Sequence, residues 1–377
     1  MKGREGWRPT RAVVDLECIR HNVGLFVEMA GPGCEVMAVV KADGYGHGAV
    51  ETARAALQAG ATRLGVALVE EGEELREAGL EAPVHLLFEP PPEAAARVIE
   101  LSLTPTVYTR GFLRELSRAA AAAGKRVPVH LEVDTGMHRV GAAPEEVPSL
   151  AEEISADPGL LLEGVCTHLA MGSDPEHPFN LRQGEAFAGV LRDLERKGLR
   201  VPMRHVAASG AAAALPHLRL DMIRLGIAMY GLLPGEAFRE KLDLRPALSL
   251  RTRISHLLRA RGGEGVSYGL RYRCARDTWI AVLPLGYADG LNRALSGCWE
   301  VLIDGRSYPQ VGTICMDLCM VDLGEDRYEP GQEVTVIGGY GEESVGVERM
   351  AAELGTINYE VVCAIGKRVP RCYLHRL

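Results

Sequence analysis

The chain has 377 residues, 47% of them hydrophobic, and a formal net charge of −8 at pH 7. This length allows one or two sizeable hydrophobic cores, and the acidic balance argues against nucleic acid as a partner because phosphate binding favours a basic patch. The sequence lacks an uninterrupted apolar run of about 18 residues, so we expect no transmembrane helix and no membrane partner.

The first ten residues, MKGREGWRPT, contain no apolar core of a secretory leader, so no signal peptide is expected. The nine cysteines form no CxxC pair, and Cys315 and Cys319 lack the neighbouring His or Cys residues of a zinc site. We therefore expect reduced thiols, no metal site and a cytoplasmic protein.

Eight β-favouring runs follow one another before residue 232, and helical patterns separate most of them. The runs are residues 36–41, 63–69, 83–89, 104–109, 127–134, 161–168, 204–209 and 223–231. Strands that alternate with helices predict right-handed βαβ units and a parallel sheet, and eight units in about 200 residues match a (β/α)8 TIM-type barrel. An open doubly wound sheet is the alternative, but the GxGxxG motif that usually follows its first strand is missing.

The pattern changes after residue 240, where helical patterns become rare and short apolar runs alternate with turn residues. The pair Asp304-Gly305 between two such runs predicts a β-hairpin. We therefore predict an α/β barrel over residues 11–240 and a mainly β domain over residues 241–377. The sequence leaves open whether residues 1–15, which include most of the early run RAVVDL, pack with this second domain.

Lys41 ends the first predicted barrel strand, in the stretch VMAVVK, and three spaced glycines follow it. In a (β/α)8 barrel, the C-terminal ends of the strands carry the chemistry. An ammonium group among apolar neighbours is poorly solvated, which favours the neutral, nucleophilic amine. The position therefore suggests a lysine that forms a Schiff base, although a salt-bridged structural lysine is the commoner role of a lone strand-end lysine.

Ser209-Gly210 lies at the end of the seventh predicted strand and Gly226-Ile227 within the eighth, and the loops after these two strands usually bind phosphate in such barrels. Small residues let backbone N–H groups approach an anion. Together with Lys41 they predict a phosphorylated aldehyde bound as an imine, which fits pyridoxal phosphate but also a phosphosugar lyase or aldolase.

Eight motifs that occur in order along nearly the whole chain resemble those of bacterial alanine racemases. They are AVVKADGYGHG, LEVDTGMHRVG, THLA, RLGIAMYG, VSYG, GYADG, TICMD and NYE. The resemblance implies a pyridoxal 5'-phosphate enzyme with a barrel followed by a mainly β C-terminal domain. It also implies two-base racemisation of L-alanine and D-alanine for peptidoglycan synthesis, in a homodimer whose active sites are shared across the chains.

The same resemblance implies roles for individual residues. Lys41 and Tyr268 are the catalytic bases, on the D-specific and L-specific faces of Cα. His205 supports Arg224, whose guanidinium faces the pyridine nitrogen and cannot give it a proton. Cofactor contacts are implied for Lys41, Tyr45, His168, Ser209, Arg224, Gly226, Ile227 and Tyr359. Substrate contacts are implied for Arg139, Tyr287 and Met316, and in the family Tyr268, Tyr287 and Met316 come from the other subunit.

Three positions depart from the family pattern. Glu132 stands where many members carry a carbamylated lysine, and we expect it to pair with Arg139 without modification. Ala208 replaces a usual asparagine, so one cofactor contact is expected to be missing. His138 replaces a usual glycine and either changes the local site or points to solvent.

Other functions remain open on the sequence. A racemase for serine or for basic amino acids would share the barrel motifs, because the wall of the pocket sets the side-chain preference. A non-catalytic pyridoxal-phosphate carrier would lack the β domain and hence Tyr268. A decarboxylase relative would need different substrate-side residues in that domain.

Overall fold

The structure is a computed structural model that describes residues 7–339 and 344–376. These residues form two compact units. The barrel unit comprises Ile19–Gly44 and Ala49–Arg245, and the β unit comprises the described residues up to Cys18, Tyr45–Gly48 and those from Pro246 onward. The domain boundary predicted at residue 240 lies a few residues before this division and stays a prediction. Residues 1–6, on which the expected lack of a signal peptide partly rests, lie outside the described residues.

The barrel unit contains eight parallel strands. The first strand of the chain, β1 (Arg11–Asp15), belongs to the β unit. The barrel strands are β2 (Glu35–Val39), β3 (Arg63–Val66), β4 (Val84–Leu86), β5 (Leu103–Val107), β6 (Val127–Glu132), β7 (Leu160–Cys166), β8 (Met203–His205) and β9 (Met222–Leu225). They pair in the order β8-β7-β6-β5-β4-β3-β2-β9, and a bridge between Ala208 and Arg224 joins the two ends. The predicted barrel is therefore confirmed, and each predicted run overlaps one of its strands.

Helices alternate with these strands, as the sequence pattern predicts. They are Leu16–Ala30, Ala49–Gln58, Val69–Glu77, Ala95–Glu100, Arg110–Ala123, Val147–Ala156, Pro178–Arg196 and Ser209–Ala214. In Arg110–Ala123, the Thr109 side chain caps the first turn and Gly124 ends the helix in the left-handed conformation. Its buried face is formed by Phe112, Leu113, Leu116 and Ala120, at helical spacing. No helix in the described ranges is long and apolar enough to cross a membrane.

The β unit is dominated by one nine-stranded sheet. Besides β1, the strands of the unit are β10 (Leu248–Arg253), β11 (His256–Ala260), β12 (Gly265–Val266), β13 (Tyr272–Arg273), β14 (Thr278–Leu283), β15 (Glu300–Ile303), β16 (Arg306–Val311), β17 (Cys319–Gly324), β18 (Glu333–Ile337) and β19 (Arg371–Leu374). The helices of the unit are Val347–Leu354 and Asn358–Cys363. The large sheet has the order β11-β14-β17-β16-β15-β18-β10-β1-β19, while β12 and β13 pair with each other. The predicted mainly β C-terminal domain is confirmed.

Strand β1 lies inside the large sheet of the β unit. It runs antiparallel to β10, with Val13 opposite Ser249, and parallel to β19, with Val13 opposite Cys372. Residues from the start of the described chain therefore complete a sheet formed mostly by its C-terminal third.

The predicted hairpin forms between β15 and β16. Ile303 lies opposite Arg306, so the connecting loop is the pair Asp304-Gly305. Asp304 and Gly305 have φ values of 48° and 78°, and a two-residue hairpin turn with both central residues left-handed matches the right-handed twist of the strands.

Candidate active site

Lys41 lies two residues after the first barrel strand, β2, and begins a strained turn. Ala42, Asp43 and Gly44 adopt φ values of 52°, 52° and 60°. The left-handed conformation costs about 1–2 kcal/mol for each residue with a side chain, so surrounding contacts must stabilise it. One of these is a hydrogen bond of 2.6 Å from the Ala42 N–H to Glu71 Oε1. Such strain is concentrated at functional sites, and here it lies at the base of the Lys41 side chain.

Phe88 brings Lys41 and Arg139 over one aromatic ring. The distance from the ring centroid is 5.3 Å both to Lys41 Nζ and to Arg139 Cζ. The face of the ring attracts each cation. Phe88 was not predicted from the sequence, although it follows β4 closely at the same end of the barrel as Lys41. That position after a strand is the signal that would have found it.

Arg224, in β9, is the buried centre of a polar network. Its Nη1 donates a hydrogen bond to His205 Nδ1 at 2.7 Å, and its Nη2 donates one to His168 Nδ1 at 3.0 Å. The carbonyls of Thr167 and Val206 also accept from Nη2, each at 2.9 Å. Burial, and then the positive charge of Arg224, lowers the pKa of His168 and of His205 well below the usual range. Both imidazoles are therefore neutral, and the structure brings these three predicted residues together.

Ser209, Gly226 and Ile227 lie together just beyond β8 and β9. Ser209 Oγ accepts hydrogen bonds from the backbone N–H groups of Gly226 at 3.0 Å and Ala228 at 3.4 Å. Ser209 and Ile227 are buried. Backbone N–H groups that converge on one oxygen form an arrangement that can also bind an anion.

Tyr45 and Tyr359 form an aromatic pair within the β unit. Their ring centroids are 5.8 Å apart, and the rings are inclined at 49°. Burial raises the pKa of Tyr359 to about 12. Its phenol is therefore protonated at neutral pH and able to donate a hydrogen bond.

The predicted residues of the C-terminal domain lie on adjoining loops of the β unit. Thr313 Oγ1 donates a hydrogen bond to the Tyr268 carbonyl at 2.8 Å, and the Tyr287 N–H donates one to the carbonyl of Cys315, beside Met316, at 3.1 Å. Tyr268, Tyr287 and Met316 are nevertheless 73%, 41% and 52% exposed. The backbones of these loops are held, while their large side chains face solvent.

Glu132, at the end of β6, is buried in the barrel unit. Burial raises the pKa of its carboxyl group, and the positive charges of Arg224 and Arg139 act in the opposite direction. Over the residues that the structure describes, Glu132 and Arg139 form no direct ion pair, in contrast to the expectation from the sequence. Arg139 lies over the Phe88 ring instead, so the two opposite charges interact without contact.

The two other departures from the family pattern have local consequences. His138 has a φ of 53°, in the left-handed region that favours glycine. Its side chain is 83% exposed, with Nδ1 within hydrogen-bonding distance of Asp134 Oδ2 at 2.8 Å, so it points to solvent. Ala208 occupies the N-cap of the helix Ser209–Ala214 and provides no side-chain hydrogen bond, whereas an asparagine there could cap the helix.

Comparison with known proteins gives matches along both units. The family described as alanine racemase, N-terminal domain, matches residues 14–234, and the alanine racemase C-terminal domain matches residues 247–373. The chain is 45% identical to the alanine racemase of Desulforamulus reducens over 370 residues. This alignment covers 97% of this chain and 99% of that relative.

Solved structures show the same extent of similarity. The alanine racemase from D-cycloserine producing Streptomyces lavendulae has a TM-score of 0.92 and 38% identity, over 99% of both chains. The alanine racemase from Bacillus anthracis with bound L-Ala-P has a TM-score of 0.93 and 36% identity, over 98% of this chain and 96% of that chain. The likeness thus covers the fold of both units.

Proposed function

The chain belongs to the alanine racemase family of amino-acid isomerases, and on this premise we propose that it interconverts L-alanine and D-alanine with pyridoxal 5'-phosphate bound through Lys41. The observation that best supports this function is that Arg224, which has only hydrogen-bond donors, is buried and held by two neutral histidines. When bound, the cofactor supplies the electron sink that makes the Cα proton of an amino acid acidic.

The residues of the barrel unit fit this cofactor. Arg224 uses Nη1 and Nη2 for histidines and backbone carbonyls, while no residue in the described ranges accepts a hydrogen bond from its Nε. This donor is available to a ring nitrogen. Ser209, Gly226 and Ile227 offer a hydroxyl and backbone N–H groups to a phosphate. The family resemblance also assigns Tyr45 and Tyr359, which belong to the β unit, to the phosphate as phenolic donors.

Arg224 would determine where negative charge resides during the reaction. A guanidinium does not give up a proton near neutral pH, so it leaves the ring nitrogen unprotonated. His168 and His205 cannot supply that proton either, because both are neutral. Negative charge then stays near Cα, which favours rapid return of a proton over transamination.

Lys41 and Tyr268 would move the Cα proton on opposite faces. One base on each face inverts the carbon directly, because one accepts a proton while the other donates one. Lys41 serves the D-specific face and Tyr268 the L-specific face. Arg139, Tyr287 and the backbone at Met316 would hold the substrate, with Arg139 on its carboxylate.

A homodimer would bring Tyr268 of one chain to Lys41 of the other. Support comes from the exposure of Tyr268 and of further apolar side chains of the β unit. Large exposed apolar residues mark interaction surfaces when they lie together. In this unit, Leu270, Leu318 and Ile357 are 52%, 41% and 61% exposed. A second copy of the chain would cover some of these side chains, and its active site would use the Tyr268 phenol.

We also propose that the enzyme is cytoplasmic and supplies D-alanine for peptidoglycan synthesis, as the family does. The alternatives predict different results with other substrates. A broader racemase would turn over serine or lysine as fast as alanine, and a non-catalytic carrier would turn over none of them. The β unit, with Tyr268 on its surface, favours the enzyme.

Incubation of the purified holoenzyme with L-alanine in deuterated water tests this function. D-alanine with deuterium at Cα should accumulate, and borohydride should fix the cofactor on the peptide that contains Lys41. Lys41→Ala should lose the label and lower the activity by about 10³-fold or more. Lys197→Ala, which removes a surface lysine paired with Glu152, should change neither. A holoenzyme without label at Lys41 would refute the assignment.

A further inference from the structure

A line of hydrogen bonds runs from Arg224 through the interior of the barrel unit to Glu163. Arg224 Nη1 contacts His205 Nδ1 at 2.7 Å, and His205 Nε2 contacts His130 Nδ1 at 2.8 Å. His130 Nε2 then contacts Glu163 Oε2 at 2.8 Å. Arg63 Nη1 ends the line with an ion pair of 2.8 Å to the same oxygen. Because both imidazoles are buried, water cannot replace the contact between them, whereas the Glu163 side chain at the end of the line is 23% exposed.

Hydrogen-bond chemistry allows only one direction of donation along this line. A guanidinium has only donors, and an ionised carboxylate has only acceptors. His205 must therefore accept at Nδ1 and donate from Nε2, and His130 must do the same toward Glu163. Each imidazole carries a single proton on Nε2, and no other neutral tautomer satisfies every contact.

Burial and charge produce the protonation states that this direction requires. Burial lowers the pKa of His130 and of His205, which keeps both neutral. Burial alone would raise the pKa of Glu163, but hydrogen bonds from His130 and Arg63 lower it to about 2. At neutral pH, two neutral histidines thus connect the cation Arg224 to an anion.

Two local features of the sheet make the contact between His130 and Glu163 possible. Strands β6 and β7 pair Val129 with Leu162 and His130 with Gly164, so Glu163 is the extra residue of a β-bulge. A Cβ atom at Gly164 would lie 2.5 Å from His130 Nδ1, which is too close for any side chain. The bulge supplies the carboxylate, and the glycine makes room for the imidazole.

We propose that Glu163 is a positioning residue for Arg224 and acts on it through His130 and His205. This role rests on the proposed function and extends it to the far side of the barrel interior. Glu163 and the donor-only Arg224 favour these tautomers from the two ends of the line. Without the acceptor, the His130 Nε2–H would be buried and unpaired, and the reversed tautomers, which direct an imidazole N–H at the Arg224 guanidinium, would become populated. Glu163 thus keeps them unpopulated. It thereby holds Nη1 in place and keeps Nε as the donor for a ring nitrogen.

The tautomers of the two histidines can be measured by nitrogen-15 NMR of the purified holoenzyme. The parent should show His130 and His205 as neutral Nε2–H forms. Glu163→Leu removes the acceptor, so both signals should shift toward a mixture of tautomers. We expect kcat to fall about tenfold in both directions with KM nearly unchanged. In metal sites, loss of a residue that hydrogen-bonds to a metal-binding side chain has an effect of about this size or larger.

Two further variants separate positioning from a general structural effect. Glu163→Gln keeps an oxygen that can accept from His130, so it should keep the Nε2–H tautomers and most of kcat. Glu35→Gln is the matched control, because Glu35 also pairs with Arg63, at 2.7 Å, without a hydrogen bond to either histidine. It should change neither the tautomers nor kcat.

Unchanged tautomers in Glu163→Leu would overturn the positioning role, and so would changed tautomers with unchanged kcat. If Glu163→Leu does not fold, Arg63→Met combined with Glu163→Leu removes a cation that would otherwise have lost one of its two carboxylate partners, and it must show the same tautomer change. An enzyme that racemises no amino acid would refute the proposed function instead. The tautomer comparison would still decide whether Glu163 orders the line.

Discussion

The interior of the barrel unit and the exposed loops of the β unit hold the residues of the proposed site in opposite ways. In the barrel unit, Arg224 is buried and its contacts come from histidines and carbonyls of the same unit. In the β unit, Tyr268 is 73% exposed, and the Thr313 hydroxyl holds only its backbone carbonyl. The contacts of Arg224 thus come from the same chain, whereas the Tyr268 phenol faces solvent, and under the proposed function a second chain would use it.

The largest expected effect tests whether that surface is a second copy of the chain. Tyr268→Phe keeps the ring and removes the phenol, so racemisation should fall by about 10²–10⁴-fold. Mixed dimers of Tyr268→Phe with Lys41→Ala should regain activity, because one site per dimer then has both bases. Two affinity tags would allow the mixed dimer to be purified and assayed.

Tyr328→Phe is the matched control for this experiment. Its phenol contacts Tyr308 at 2.8 Å within the β unit, so activity should be retained. Full activity of Tyr268→Phe, or inactive mixed dimers, would mean that the exposed loops do not complete a site across chains.

The next effect concerns Glu163, the partly buried anion of the barrel unit. The pKa of Glu163 falls from an ordinary 4.5 to about 2 on folding, so its carboxylate stabilises the fold above about pH 4.5. That contribution, of about 3 kcal/mol, is lost as the pH falls toward 2. Glu163→Gln should therefore unfold at lower urea concentration than the parent at pH 7, with the difference shrinking at pH 3. A difference in the free energy of unfolding that is the same at both pH values would contradict this.

A smaller effect is expected where the barrel unit lacks a cap. Ala208→Asn would give the helix Ser209–Ala214 a side-chain acceptor for its first N–H groups. The free energy of unfolding should rise by about 1 kcal/mol, measured by urea denaturation of the cofactor-free protein. No change, or a loss of stability, would show that the N-cap side chain cannot reach those groups.

The smallest effect is an expected indifference to bicarbonate. Glu132 carries a carboxylate without modification, so removing dissolved CO₂ should leave the activity of the native enzyme unchanged. Glu132→Lys restores the residue that many family members carbamylate, and its activity should depend on bicarbonate. A reversible loss of native activity on CO₂ removal would show that the barrel unit needs an added group after all.

The sequence predicted much of the fold because its signals are local. Alternating strand and helix patterns are visible in windows of a few residues, and all eight barrel strands lie within predicted runs or overlap them. The hairpin at Asp304-Gly305 depends on two adjacent residues. The motif around Lys41 predicted a residue at the end of a strand, and the structure adds that the turn after it is left-handed.

By itself, then, the sequence determined the order of the elements, the two kinds of unit and the family to which its motifs belong. Only the tertiary structure placed β1 between two C-terminal strands, Phe88 under two cations, and Glu163 against His130. The contact between His130 and His205 joins residues 75 positions apart, and that between His130 and Glu163 depends on a one-residue bulge. Local patterns are insensitive to such contacts, because strand pairing and register, rather than the composition of any one strand, decide which side chains meet in a barrel interior.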